Sequence, residues 1–211
     1  AAAFTAVDRA EDEPALAYAV NTEGARVVAE AAWSAGIPVV QISTDYVFSG
    51  NKDGDYVEDD PTGPHTIYGL TKRDGERSVV ETNPRHLILR TSWIYSPFSQ
   101  NFVRTMLRLA ETRDMVRVVA DQTGTPTAAL DIADALLALA PRVVAGRFGI
   151  FHLAGKGSTS GADFARHVFA VSRASGGPFA EVEEIKTIDF AAKAPRPHNS
   201  RLSSQRIEEV F

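Results

Sequence analysis

The chain has no cysteine among its 211 residues, so disulfides, thiolate nucleophiles and zinc sites built on sulfur are excluded. It has no excess of basic residues either. A formal net charge of −5 argues against nucleic acid or an anionic membrane surface as the main partner. No apolar run approaches the ~20 residues needed to span a bilayer. The amino end, Ala1-Ala-Ala-Phe-Thr-Ala-Val-Asp8, lacks a basic segment, a cleavable apolar stretch and an initiator methionine. It is expected to be neither a signal peptide nor a natural start. These features fit a cytoplasmic protein. With 44% hydrophobic and 23% charged residues, the composition is that of a globular chain able to build one large core, or a core and a lobe.

Short β-rich runs alternate with helical patterns. Residues 15–35 read as a helix that opens at Pro14 and stops at Gly36, followed by a strand over 37–42. Residues 49–66, rich in Gly, Asn, Asp and Pro, read as a long loop. A helix over 68–81 ends at Asn83-Pro84, and a strand follows at 86–90. Helices at 101–111, 128–140 and 160–172 alternate with strands at 116–120, 149–153 and 182–186. The Pro- and Arg-containing stretch 193–201 reads as an ordered loop. Alternation at these lengths predicts an α/β fold with an open parallel sheet covered on both faces.

Tyr68-Gly-Leu-Thr-Lys72 is the segment with chemistry in it. Residues four apart share one helix face, so the phenol and the ammonium can act on one ligand. An unperturbed phenol, with a pKa of about 10, is a poor proton donor at neutral pH, and a neighbouring cation is expected to lower it. The alternative is a solvated helix face. The run Val39-Val-Gln-Ile-Ser-Thr-Asp-Tyr-Val-Phe48 changes the odds, because its carboxyl end delivers hydroxyls and a carboxylate where open α/β sheets bind ligands. Thr44 or Ser43, Tyr68 and Lys72 together make a set suited to hydride transfer coupled to proton transfer.

These blocks, with Ala1-Ala-Ala-Phe-Thr-Ala-Val-Asp8, Arg90-Thr-Ser-Trp-Ile-Tyr95, Asp121-Gln-Thr-Gly-Thr-Pro-Thr127 and Arg196-Pro-His-Asn-Ser-Arg-Leu202, resemble the extended short-chain dehydrogenases in order along nearly the whole chain. Within that superfamily, Ser43-Thr-Asp-Tyr-Val-Phe48 and the Arg196 block resemble the rhamnose reductase branch. The resemblance implies a Rossmann-type parallel sheet with a smaller carboxyl-terminal α/β substrate lobe. Residues 1–125 would carry the rest of the NAD(P)-binding domain, and residues 126–211 mainly the lobe, with the chain crossing between the two. It implies NADPH- or NADH-dependent reduction of a dTDP-linked keto-sugar. Thr44 would be the catalytic hydroxyl, Tyr68 the proton donor, and Lys72 the residue that tunes the tyrosine and holds the nicotinamide ribose. Ala2, Ala3, Thr5, Ser43 and Ser92 would lie along the cofactor. Asp45, Trp93, Asn101, Gln122 and Arg201 would meet substrate, Arg201 at the diphosphate. Four of these have a plainer reading: Trp93 as a core aromatic, Arg201 as a structural or solvated cation, Asn101 and Gln122 as cap or turn residues.

The Gly-rich dinucleotide fingerprint of that superfamily is not found here; Gly155-Lys-Gly157 lacks a third glycine. About 60 residues carrying the first strands are therefore expected to be missing. A protein made only of these residues is expected to bind NADPH far more weakly than the whole protein, to show no measurable reductase activity and to associate through an unpaired strand edge. No metal site is expected, although a magnesium-bridged dimer occurs in some relatives; the chain is expected to be a monomer or homodimer. Two alternatives stand beside the reductase: an NADP-binding regulatory subunit of methionine adenosyltransferase, and a nucleotide-sugar epimerase or dehydratase.

Overall fold

The computed structural model describes residues 2–211, so Ala1 of the first block lies outside the described residues. Helix α1 (Val7–Asp12) leads into α2 (Pro14–Tyr18), a π-helical turn (Ala19–Glu23) and α3 (Gly24–Ser34). Proline at the first helical position leaves no hydrogen bond unmade. Gly36, with φ of +69°, takes the left-handed conformation that ends the helix. Strand β1 (Val39–Thr44) begins two residues later than the apolar run, because the half-exposed Ile37 closes the turn by donating its N–H to the Ala32 carbonyl.

Helix α4 (Ile67–Thr82) starts where Thr66 Oγ1 accepts the Gly69 N–H at 2.9 Å, and Glu11 of α1 takes the Ile67 N–H at 2.9 Å. These two caps satisfy donors that would otherwise be orphaned. Strands β2 (His86–Thr91) and β3 (Ile94–Tyr95), helix α5 (Phe102–Ala110), and strands β4 (Met115–Val119), β5 (Thr123–Gly124) and β6 (Thr127–Ala128) follow. Helix α6 (Ala129–Val144) runs through Pro141 rather than stopping at Ala140. The carbonyl that proline leaves unpaired belongs to Leu137, a residue open to water. Strand β7 (Gly149–His152), β8 (Thr159–Ser160), α7 (Gly161–Ala174), β9 (Glu181–Ile185), β10 (Asn199–Ser200) and α8 (Gln205–Val210) complete the chain.

The main sheet has the order β1-β2-β7, all parallel, with Thr44 opposite Thr91 at the carboxyl ends. Val39 and Ile88 face α3 and α4, packing on Ala25, Ala29, Ala32 and Val79. Leu87, Leu89 and Phe151 face α6 and α8. Within β1, Val39, Ser43 and Thr44 are buried and Val40 is 42% exposed. A second core gathers α5, β4, α7 and β9 around Met106, Val116, Val118 and Phe169. The chain crosses between the cores on both sides of residue 125. Helix α5 and β4 precede it yet belong to the second core, whereas β7, a strand of the main sheet, and α6 and α8, which cover that sheet, follow it. Among the described residues no helix is long and apolar enough to cross a membrane, and no cluster of His and carboxylates could hold a metal ion.

Candidate active site

The carboxyl end of β1 places Thr44 beside the first turns of α4, which carry Tyr68 and Lys72. Glycine at 69 permits this approach, since a Cβ there would lie 2.3 Å from the Tyr46 carbonyl oxygen. Gly75 lets the same helix close on the π turn, where a Cβ would meet the Asn21 carbonyl oxygen at 2.2 Å. Thr44 Oγ1 donates to Asp45 Oδ1 at 3.0 Å and accepts the Tyr46 N–H at 3.2 Å. The Tyr68 ring meets Tyr46 edge-on, with centroids 5.4 Å apart.

Burial pushes the Tyr68 phenol up to about 12; the Thr44 hydroxyl opposes the shift and the Asp45 charge adds to it. This corrects the expectation of a cation-lowered tyrosine. Lys72 spends its ammonium elsewhere, donating to the Ile42 carbonyl at 2.7 Å. Burial brings Lys72 down to about 8, with Glu76 pulling the other way. Asp45, also buried, is raised to about 6 by desolvation against the pull of Ser200 and Thr44. Tyr46 is pushed above the usual phenol range by burial and then by the Asp45 charge.

A cleft of about 450 Å³ opens against the second core, where Phe102 and Phe164 line it, with Tyr46, Trp93, Gln122 and Arg196 also in its lining. Tyr68, Thr44 and Lys72 do not line it, but Tyr46, whose ring meets Tyr68 edge-on, does. Trp93 has a left-handed backbone, φ +45°, and its indole lies against the Gly124 backbone, where a Cβ would come 2.2 Å from Cε2. Gln122 reaches the cleft while donating to Thr187 Oγ1 at 3.0 Å.

Other candidates fall elsewhere. Asn101 caps α5, accepting the Arg104 N–H at 3.2 Å and donating to the Ser96 carbonyl at 2.7 Å. Arg201 lies outside the cleft, donating to Asn199 Oδ1 at 3.0 Å with Asp55 at 3.6 Å. Ser92 is buried and donates to the Thr125 carbonyl at 3.3 Å. Ala2, Ala3 and Thr5 are exposed.

Three residues at the site were not singled out from the sequence. Asn21, 2% exposed in the π turn, accepts the Phe4 N–H at 2.8 Å and donates to Thr71 Oγ1 at 3.0 Å, tying the amino-terminal segment to α4. A buried asparagine inside an Ala- and Val-rich helix was the available signal. Arg196 lines the cleft and pairs with Asp8 at 2.6 Å. Among the described residues Thr91, opposite Thr44, has a buried hydroxyl without a partner, as does Ser43. Ser43 pairs with Arg90 and Thr91 with Thr44, so the two unpartnered hydroxyls sit on opposite faces at the carboxyl end of the sheet, the end where open α/β sheets bind polar ligands such as a nicotinamide cofactor.

A family profile described as RmlD substrate binding domain matches residues 1–211. A dTDP-4-dehydrorhamnose reductase of Sinorhizobium fredii is 49% identical over all of this chain and 72% of its own length. The crystal structure of a dTDP-4-dehydrorhamnose reductase from Clostridium acetobutylicum superposes with a TM-score of 0.92 at 40% identity, covering 99% of this chain and 71% of that one. A Bacillus anthracis dTDP-4-dehydrorhamnose reductase in complex with NADP gives 0.90 at 38% identity, covering 99% and 72%.

Proposed function

The chain belongs to the family of dTDP-4-dehydrorhamnose reductases, and from that premise we propose that it reduces the C4 ketone of dTDP-4-dehydro-L-rhamnose to dTDP-L-rhamnose with NADPH or NADH. The observation that carries this reading is the meeting of Thr44, Tyr68 and Lys72 at the ligand-binding end of a parallel sheet beside an aromatic-lined cleft. A bound nicotinamide would supply hydride to the carbonyl carbon. Ser43, Thr91, Tyr68 and Lys72 would hold that group, with Ala2, Ala3, Thr5 and Ser92 along its length.

The chain's own residues supply the proton and the electrostatics. Tyr68 is protonated at neutral pH, the form a proton donor needs. Burial that raises it to about 12 also makes it a weaker acid, which releases its proton only as the carbonyl oxygen gains negative charge. Tyr68 gives its proton to the carbonyl oxygen as that atom gains charge, and Thr44 turns its hydroxyl from Asp45 to the same oxygen. Asp45 and Trp93 face the sugar. Gln122 and Arg196 take the nucleotide end, Arg196 rather than Arg201 because it lines the cleft. The core around α5, β4, α7 and β9 serves as the substrate lobe. We place the protein in the cytoplasm, as a monomer or homodimer feeding cell-surface polysaccharide synthesis.

The intact protein that carries this chain should oxidise one NADPH per keto-sugar reduced, followed by the loss of the reduced nicotinamide's absorbance. Retained, unconsumed NAD with sugar isomerised or dehydrated would instead indicate an epimerase or dehydratase. Copurification of methionine adenosyltransferase with no turnover would indicate a regulatory subunit.

Gly124→Ala drives a methyl group into the Trp93 indole. It should raise KM for the keto-sugar by roughly 10-fold while kcat and NADPH affinity change little, the signature of lost substrate binding. An unchanged KM would remove Trp93 from the substrate site.

A further inference from the structure

One buried ion pair stands directly behind the site. Glu76 follows Lys72 by four residues and so shares its face of α4. Arg90 of β2 grips the Glu76 carboxylate through Nε at 3.0 and 3.3 Å and through Nη2 at 2.7 Å. The two side chains are 4% and 5% exposed. Arg90 is opposite Ser43 in the sheet, and Lys72 bonds to the carbonyl of the residue before it, Ile42. Helix α4 is therefore fastened to the sheet at two successive levels of β1. The Arg90 guanidinium also lies 5.0 Å from the Phe48 ring centroid, and its Nη1 reaches the Glu58 carbonyl at 3.4 Å, which fixes its plane.

A buried ion pair of this kind contributes little net stability, since desolvation offsets most of the attraction. Its location suggests another use. We infer that Glu76, clamped by Arg90, is a positioning residue: it supplies the buried countercharge for Lys72 and fixes that turn of α4 against β2. The inference rests on the role proposed above for Lys72.

Several other ionisable groups surround this turn. Tyr68 and Asp74 lie on α4 itself, and Asp45 and Tyr46 come from the turn after β1. Glu11 of α1 is occupied by the Ile67 N–H, and Tyr18 of α2 lies 3.5 Å from Asp74. Among the described residues Glu76 makes no ion pair with Lys72, and it acts on the ammonium by charge alone, raising its pKa against the larger effect of burial. Without that carboxylate the ammonium is lost at lower pH.

The test follows the ¹³Cε resonance of Lys72 with pH in the intact protein, assigned by its absence from Lys72→Met. Glu76→Gln paired with Arg90→Met removes both charges and leaves no lone ion in the interior. In that double variant the Lys72 midpoint should fall by roughly one pH unit. Glu76→Gln alone, with the Arg90 cation uncompensated, should lower it further. Arg90→Lys, which keeps a cation beside Glu76, should leave it near wild type. The alkaline limb of kcat should move in the same order, with KM for the keto-sugar nearly constant. A Lys72 that titrates as wild type in both Glu76→Gln variants would show the pair to be structural cement only. The resonance reads without turnover, so an inactive wild-type protein would overturn the proposed reaction and leave this measurement intact.

Discussion

Replacing Tyr68 with phenylalanine should lower kcat for keto-sugar reduction by about 10²–10⁴-fold, the range expected for loss of a positioned proton donor. Thermal stability should stay near wild type, because the residue is half-buried and the ring contact with Tyr46 survives the change. Cofactor affinity should be little altered, since Lys72, Ser43 and Thr91 remain. The kinetic loss should appear equally in kcat and kcat/KM, because the proton is transferred only as the alkoxide forms. Raising the substrate concentration should not rescue the Tyr68→Phe variant. A variant that turns over at the wild-type rate at neutral pH would remove Tyr68 from the mechanism.

Much of this arrangement was legible in the amino-acid sequence, and the reasons are local. The Tyr-x-x-x-Lys spacing on a helix and the hydroxyl at a strand end are short-range patterns, and α4 and β1 form within two residues of the expected bounds. Strands β3, β5, β6, β8 and β10 were not, because two-residue strands show no alternation and exist only through partners far along the chain. The direction of the Tyr68 shift was misread for a related reason. Spacing places an ammonium on the same face as a phenol but does not reveal that the Ile42 carbonyl, 30 residues upstream, captures it. Arg196 and Arg201 are five positions apart in one segment, and only the folded loop shows which of them reaches the cleft.

Lys72→Met should separate function from stability in opposite directions. The residue is 4% exposed, and burial lowers its pKa from the usual 10.5 to about 8 while Glu76 resists. A lysine whose folded value lies below its unfolded value is penalised while it is charged. That penalty is complete below about 8, shrinks between 8 and 10.5, and is gone above 10.5, where both states are neutral. A shift of this size corresponds to something on the order of 3 kcal/mol at neutral pH. The lost hydrogen bond to the Ile42 carbonyl takes back about 1 kcal/mol. Methionine should therefore melt several degrees higher than wild type at pH 7, and the advantage should fade as pH rises toward 10.5. Activity should go the other way. Without the ammonium, NADPH should bind roughly 10-fold more weakly, since Lys72 is the residue proposed to hold the nicotinamide ribose, and kcat should fall by about 10²-fold as the ribose loses its fixed position. The alkaline limb of the rate profile should also move upward, because its first ionisation then belongs to Tyr68, held at about 12, instead of to Lys72. Loss of turnover with unaltered cofactor affinity, an unaltered profile and no gain in melting temperature would make Lys72 a structural residue. The reverse pattern would mean that the fold keeps a strained charge at this position because the reaction uses it.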